Sequence, residues 1–285
     1  MKKKIVCYGN CHLSVIGQWL HKHYSDLFEV VDCTEVGLQG FWGTKNFAVW
    51  SPENSPNQSL LHERIIHKIN QCDVFLFQHM EHKAIPELQT QQLYSNLPKN
   101  TLAVCLPNSR FFAYPACKIT FPPFIHYIHN TITQDIDEIF NYFLTQNDPK
   151  FKEILDNQYS HTISGNNSTH NTNSQRYKNI IEINKFIEQN WTKHLLFATC
   201  SHPIGQYWSH LITQLTQFIN IPLDENTTQN INYPQKDGII NIHQISFIQN
   251  LLPNILIPKE ITTLLPIEKK HILHAINTIQ PHEKI

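Results

Sequence analysis

Charge is scarce in this sequence. Asp, Glu, Lys and Arg make up only 16% of its 285 residues, the formal net charge is -1, and arginine occurs only as Arg64, Arg110 and Arg176. Such a chain has no basic field with which to hold nucleic acid, and a charged membrane surface is an equally poor partner. Its polarity comes instead from Asn, Gln, Thr, Ser and 18 His. Long apolar runs are missing too: no stretch reaches membrane-spanning length. The apolar run after the basic start MKKK is far too short for a signal peptide. A soluble protein made in a reducing cytoplasm is expected. No Cys pair forms CxxC, and the seven cysteines (7, 11, 33, 72, 105, 117 and 200) are an odd number, most of them set in apolar runs. They read as buried reduced thiols, not as a disulfide framework or a structural zinc site, so no metal is expected.

What is present suffices for a sizeable core, since 41% of the residues are hydrophobic and the chain is long enough for one large or two small domains. The organising stretch is Lys4 to Leu20, KIVCYGNCHLSVIGQWL. Ile5, Val6 and Cys7 read as a buried strand, and Leu13, Ile16, Gly17 and Leu20 recur on one helical face. Between them lies a turn in which Gly9 permits an unusual backbone and Asn10 caps the helix. Cys11 and His12 then stand at a helix N-terminus, where free amides and the helix dipole favour a thiolate, an oxyanion or a phosphate.

Further strands are expected at Phe28 to Cys33, Asp73 to Phe77, Thr101 to Leu106 and His194 to Thr199. Helices are marked by Leu61, Ile65, Ile66 and Ile69; by Ile136, Ile139, Phe140, Phe143 and Leu144; by Ile180, Ile183 and Ile187; and by Tyr207, Trp208, Leu211, Leu215 and Phe218. Strands alternating with helices imply an α/β fold, with a parallel sheet of about five strands flanked by helices and a site on its carboxyl edge. Gln78 and His79 follow the third strand, and Pro107, Asn108, Ser109 and Arg110 follow the fourth, so both clusters are expected beside Gly9 to His12. Gly37 to Asn46 is a glycine-bearing loop that either covers a ligand or turns a corner. Phe111 to Asn130 reads as an ordered irregular segment, and Asn157 to Gln175 as a mobile polar insertion. Residues 1–220 are expected to form the α/β domain and residues 221–285 a C-terminal helical appendage packed on it. No internal repeat is found.

Five short motifs occur in order: GNCH (Gly9 to His12), FQHM (Phe77 to Met80), LPNSRFFAYPA (Leu106 to Ala116), FIHYIHNTI (Phe124 to Ile132) and TCSHP (Thr199 to Pro203). Together they resemble the WcbI family of bacterial polysaccharide-biosynthesis proteins, capsule-associated coenzyme A-binding proteins regarded as acetyltransferases, over residues 4–219. This chain has His12 where the family pattern has Gln, and Ser201 where it has Asn. A more distant resemblance is to the SGNH (GDSL-type) hydrolases, whose fold is flavodoxin-like. It would put Cys11 at the nucleophile's place and His202 at the base's, but Thr199 stands where those enzymes carry a carboxylate.

The first resemblance implies transfer of an acetyl group from acetyl-coenzyme A to a sugar hydroxyl of a surface polysaccharide. Acyl transfer needs a nucleophile or activated hydroxyl, a base working near neutrality and donors for the oxyanion. His202 suits the base, and Cys11 suits either a nucleophile or a small residue whose neighbouring amides form the oxyanion site. Gln78 and His79 can donate to the oxyanion or bind the acceptor. Gly9, Asn10, His12, Asn108 and Arg110 are the candidate coenzyme A contacts, the Arg110 guanidinium matching a phosphate or pyrophosphate. Two alternatives remain open: an esterase or thioesterase using Cys11 and His202, and a glycan- or nucleotide-binding module without chemistry.

Overall fold

The computed structural model describes residues 2–34, 58–80, 86–109, 122–145, 148–199, 202–223, 252 and 254–256. Among them β1 (Lys3–Tyr8), β2 (Phe28–Asp32), β3 (Val74–Phe77) and β4 (Leu102–Cys105) form one parallel sheet in the order β2-β1-β3-β4. Register is tight in the middle, with Cys7 beside Leu76 and Tyr8 beside Phe77. All four β3 residues are buried, as are Ile5 to Tyr8 of β1. That explains their unbroken apolar character, because a parallel sheet is covered on both faces.

Successive strand residues face opposite sides, so Ile5 and Cys7 share one face and Val6 and Tyr8 the other. Helix α1 (Cys11–Tyr24) covers the Cys7 face; it approaches closely at Gly17, where an added Cβ would stand 3.4 Å from Cys7 Sγ. The opposite face carries a cluster in which Val6, Tyr8, Phe75 and Phe77 pack with Ile65 and Ile69 of α2 (Gln58–Ile69). Leu93 of α3 (Thr90–Ser95), Leu88 and Tyr177 complete it.

The sheet has four strands where about five were expected. Along the outer edge of β4 runs a single-bridge segment, Cys105 pairing in parallel with Ile180 through Cys105 N–H to Asn179 O (2.9 Å) and Ile181 N–H to Cys105 O (3.0 Å). The strand expected at His194 to Thr199 exists as β5 (Phe197–Thr199), but it pairs antiparallel with β6 (His202–Pro203) in a sheet of their own.

Two further expectations change. Part of the segment expected to be irregular, Phe111 to Asn130, is helix α4 (Pro122–Thr131), while 111–121 lie outside the described residues. The polar stretch 157–175, expected to be a mobile insertion, lies inside helix α6 (Pro149–Arg176), which follows α5 (Ile136–Thr145). Pro149 at the first helical position and Asp148, whose Oδ1 accepts the Lys150 amide at 2.8 Å, start that helix. Hydroxyls that would compete with the helix are turned back onto it, as Ser160 Oγ to Asp156 O and Thr172 Oγ1 to Ser168 O, both 2.9 Å. Phe151, Leu155, Thr162 and Asn173 are buried along it.

The isoleucine pattern from 180 to 187 yields a shorter helix than expected, α7 (Asn184–Asn190), because Ile180 is spent on β4; α8 (Gln206–Ile219) follows β6. The chain divides into two interleaved compact units, Met1–Asn108 with Ser168–Ile183 and Ser209–Ile231, and Ser109–Asn167 with Asn184–Trp208 and Asn232–Ile285. In the second unit Phe151 meets Phe124, Tyr127 and Tyr142 edge-on, and both tyrosine hydroxyls donate to Asp148 Oδ2 at 2.7 and 2.8 Å. Leu256 bonds back to Lys193 and Leu195, whereas nearly all of 224–285 lies outside the described residues. The loop 37–46 lies outside them as well.

Candidate functional site

In a sheet ordered β2-β1-β3-β4 the chain leaves β1 to one side and β3 to the other, which opens a crevice at their carboxyl ends. The turn Gly9-Asn10 and the residues Gln78-His79 emerge there, joined by Gln78 N–H to Tyr8 O at 3.1 Å. β4 delivers Pro107 and Asn108 beside them through Leu106 N–H to Phe77 O at 2.7 Å.

A hydrogen-bond network of fixed polarity ties these three strand ends together. Asn10 Oδ1 accepts the His12 amide at 2.9 Å, capping α1. A main-chain N–H can only donate, so the other end of that carboxamide is Nδ2, which donates to Asn108 Oδ1 at 3.0 Å. Gln78 is fixed in the same way: its Nε2 donates to Pro107 O (2.9 Å) and its Oε1 accepts the Asn10 amide (3.0 Å). Gln78 is fully buried, so both ends of its amide serve the main chain of neighbouring turns. Gly9 is needed because a Cβ there would lie 2.8 Å from Gln78 Oε1. With Oδ1 of Asn108 accepting from Asn10, its Nδ2 is the donor end of the carboxamide, and Asn108 is only partly buried.

Cys11 opens α1 and is half-buried, whereas Cys7, Cys33, Cys72 and Cys105 are buried. Burial first, then the Asp32 carboxylate, pushes the Cys7 thiol well up from its ordinary value. Burial pushes Cys33 and Cys72 up to about 12, and Cys105 likewise in spite of a hydrogen bond from the His79 backbone. Among the described cysteines only Cys11 combines access with a helix N-terminus. His12 is buried.

His79 turns away from Gln78, toward the Phe77 face. Its Nδ1 stands 2.7 Å from Tyr177 Oη and its Nε2 2.8 Å from Arg176 Nη1. Sequence reasoning missed Arg176 and Tyr177, since the polar run before them gives no sign that it ends against the third strand. It also missed Asp32 at the end of β2, which accepts from Ser14 Oγ at 2.8 Å and from the Thr34 amide at 2.9 Å. Arg110 lies outside the described residues, and only the backbone of His202 is described. His202 pairs with Thr199 across the β5/β6 hairpin, a sheet separate from the one whose first strand leads into Cys11. No group of three His, Cys, Asp or Glu among the described residues is placed to hold a metal ion, and no described helix is long and apolar enough to cross a membrane.

A sequence model described as polysaccharide biosynthesis enzyme WcbI matches residues 55–224, a range that takes in Gln78, His79, Asn108, Arg110 and His202 and begins after the Gly9 to His12 turn. In fold the chain is similar to a solved WcbI, a novel polysaccharide biosynthesis enzyme, in its native form without a disulfide bond between coenzyme A and one of its cysteines. The TM-score is 0.60 over 96% of this chain and 99% of that one, at 13% identity. No curated protein matches the chain.

Proposed function

The chain belongs to the WcbI family of polysaccharide biosynthesis enzymes, and from that premise we propose that it binds acetyl-coenzyme A and transfers the acetyl group to a sugar hydroxyl of a surface polysaccharide. One observation carries the reading: the half-buried Cys11 opens a helix at the carboxyl ends of β1 and β3, next in the chain to Asn10, whose side chain fixes the orientation of the Asn108 amide. A thioester carbonyl placed there would face the positive end of the α1 dipole and the Asn108 Nδ2 donor. Both favour the negative charge that grows on its oxygen as the hydroxyl adds. The new C–O bond forms, the C–S bond breaks with coenzyme A leaving as its thiolate, and the hydroxyl's proton passes through a base, for which His202 is the candidate, to that thiolate.

Calorimetry with coenzyme A and acetyl-coenzyme A is the direct test. Binding by the wild type is expected, and absence of binding at millimolar ligand would remove the proposal. Thioester loss that depends on an added glycan supports transfer. Equal loss without glycan, abolished in Cys11→Ala, would point to a thioesterase instead.

A further inference from the structure

A hydrogen bond to arginine settles the state of the other partner. Arg176 has five N–H donors and no acceptor, so at 2.8 Å His79 Nε2 must be the acceptor. The His79 ring is therefore neutral with its proton on Nδ1, and that N–H donates to Tyr177 Oη. Tyr177 is itself fixed: it is buried, and its ring meets Phe77 and Tyr94 edge-on at 4.9 and 5.0 Å. The chain of support runs from core to Tyr177 to His79 to Arg176, and it ends in an exposed guanidinium. Among the described residues no carboxylate pairs with Arg176, and a neutral imidazole cancels none of its charge. A cation oriented on one side, left uncompensated on the other and set beside the residue that follows Gln78 suits an anion with several oxygens.

Its position says which part of a ligand it meets. His79 lies on the Phe77 face of the sheet, and Cys11 begins the helix that covers the Cys7 face. A ligand touching both must cross the carboxyl edge with a reactive end on one side and its anionic end on the other. Coenzyme A has that form, a thiol joined through a long flexible arm to a pyrophosphate and a 3′-phosphate.

We infer that Arg176 is the phosphate anchor of the coenzyme A site and that His79 is its positioning residue. The inference rests on the coenzyme A reading above and assigns the phosphate contact to the Phe77 face. The Arg176 guanidinium binds the phosphate oxygens, and His79 restricts its rotamers before the ligand arrives.

Calorimetry on the full chain tests this with coenzyme A, 3′-dephospho-coenzyme A and inorganic pyrophosphate as a competitor. Arg176→Ala is expected to weaken coenzyme A by about ten- to a hundredfold, with an unchanged unfolding midpoint, and Arg176→Lys to restore part of the loss. If the penalty persists with dephospho-coenzyme A, the pyrophosphate is the group held; if it disappears, the 3′-phosphate is. His79→Gln keeps an acceptor for Arg176 and should bind nearly as wild type, whereas His79→Phe should weaken coenzyme A. Wild-type affinity in Arg176→Ala overturns the anchor and leaves the coenzyme A reading standing, and wild-type affinity in His79→Phe overturns the positioning role. If the wild type binds no coenzyme A, the proposed function fails first; binding of pyrophosphate that Arg176→Ala abolishes would then keep the anion site, and no such binding would overturn it.

Discussion

Replacing Gly9 with alanine tests whether the three strand ends are locked as described. The added Cβ would stand 2.8 Å from Gln78 Oε1, 3.2 Å from Gln78 Cβ and 3.4 Å from Gln78 N. A flexible surface glutamine would swing aside, but Gln78 is fully buried and bonded at both ends, to Asn10 N and Pro107 O. Relief of the clash therefore breaks one or both bonds and leaves buried polar groups unpaired, at about 1 to 3 kcal/mol each. Gly9→Ala should lose about 2 to 4 kcal/mol of stability, a fall in melting temperature of roughly 3 to 7 °C for a chain of this size. Two other glycines act as controls. At Gly17 the nearest atom to an added Cβ is Cys7 Sγ at 3.4 Å, an ordinary contact, so Gly17→Ala should be close to neutral. At the exposed Gly165 in α6 nothing lies within 4 Å, and alanine should stabilise by about 0.5 to 1 kcal/mol. Urea unfolding of the three variants gives the order directly. A Gly9→Ala midpoint at or above that of wild type would refute the lock.

Alkylation of the native protein with iodoacetamide, read by peptide mass spectrometry, should modify Cys11 well before Cys7, Cys33, Cys72 or Cys105, which burial keeps protonated; Cys72 reacting as fast as Cys11 would count against it. Burial tends to raise the Asp148 carboxyl, but the Lys150 amide and the Tyr127 and Tyr142 hydroxyls outweigh it, so its value in the folded state is lowered. Its stabilising contribution is complete above the ordinary carboxylate range near about 4 and is lost as pH falls through the lowered folded value. Asp148→Ala should cost about 1 kcal/mol near neutrality through the lost cap and flatten the acid limb of the stability profile; an acid limb identical to wild type would refute the assignment.

The parallel sheet was legible because β1 and β3 are covered on both faces and their apolar runs are unbroken. The turn Gly9 to His12 was legible for a local reason, since glycine and an asparagine cap act within a few residues. The alternation of strands and helices put Gln78 and Asn108 on the same edge as that turn, but the hydrogen bonds that join them are tertiary and leave no pattern along the chain. Helix α6 was misread because composition hides what Pro149, Asp148 and a few widely spaced buried side chains settle. The hairpin of β5 and β6 was misread as part of the main sheet because an apolar strand carries no mark of its partner. Nothing along the chain places Arg176 next to His79, because the packing of Tyr177 on Phe77 is what brings them together.

The bridge from Cys105 to Ile180 bears on how the molecule is made. Among the described residues β4 ends its side of the sheet until a segment far downstream arrives to cover its carboxyl end. At ordinary rates of synthesis that edge stays open for several seconds after β4 has emerged. An open strand edge is a template for pairing with another nascent chain. Translation that stalls within α6 would prolong the exposure, and a fragment stopping before Asn179 would keep it permanently. For this protein the sheet therefore closes well after its last full strand has been made, and that interval is when a chaperone would be needed.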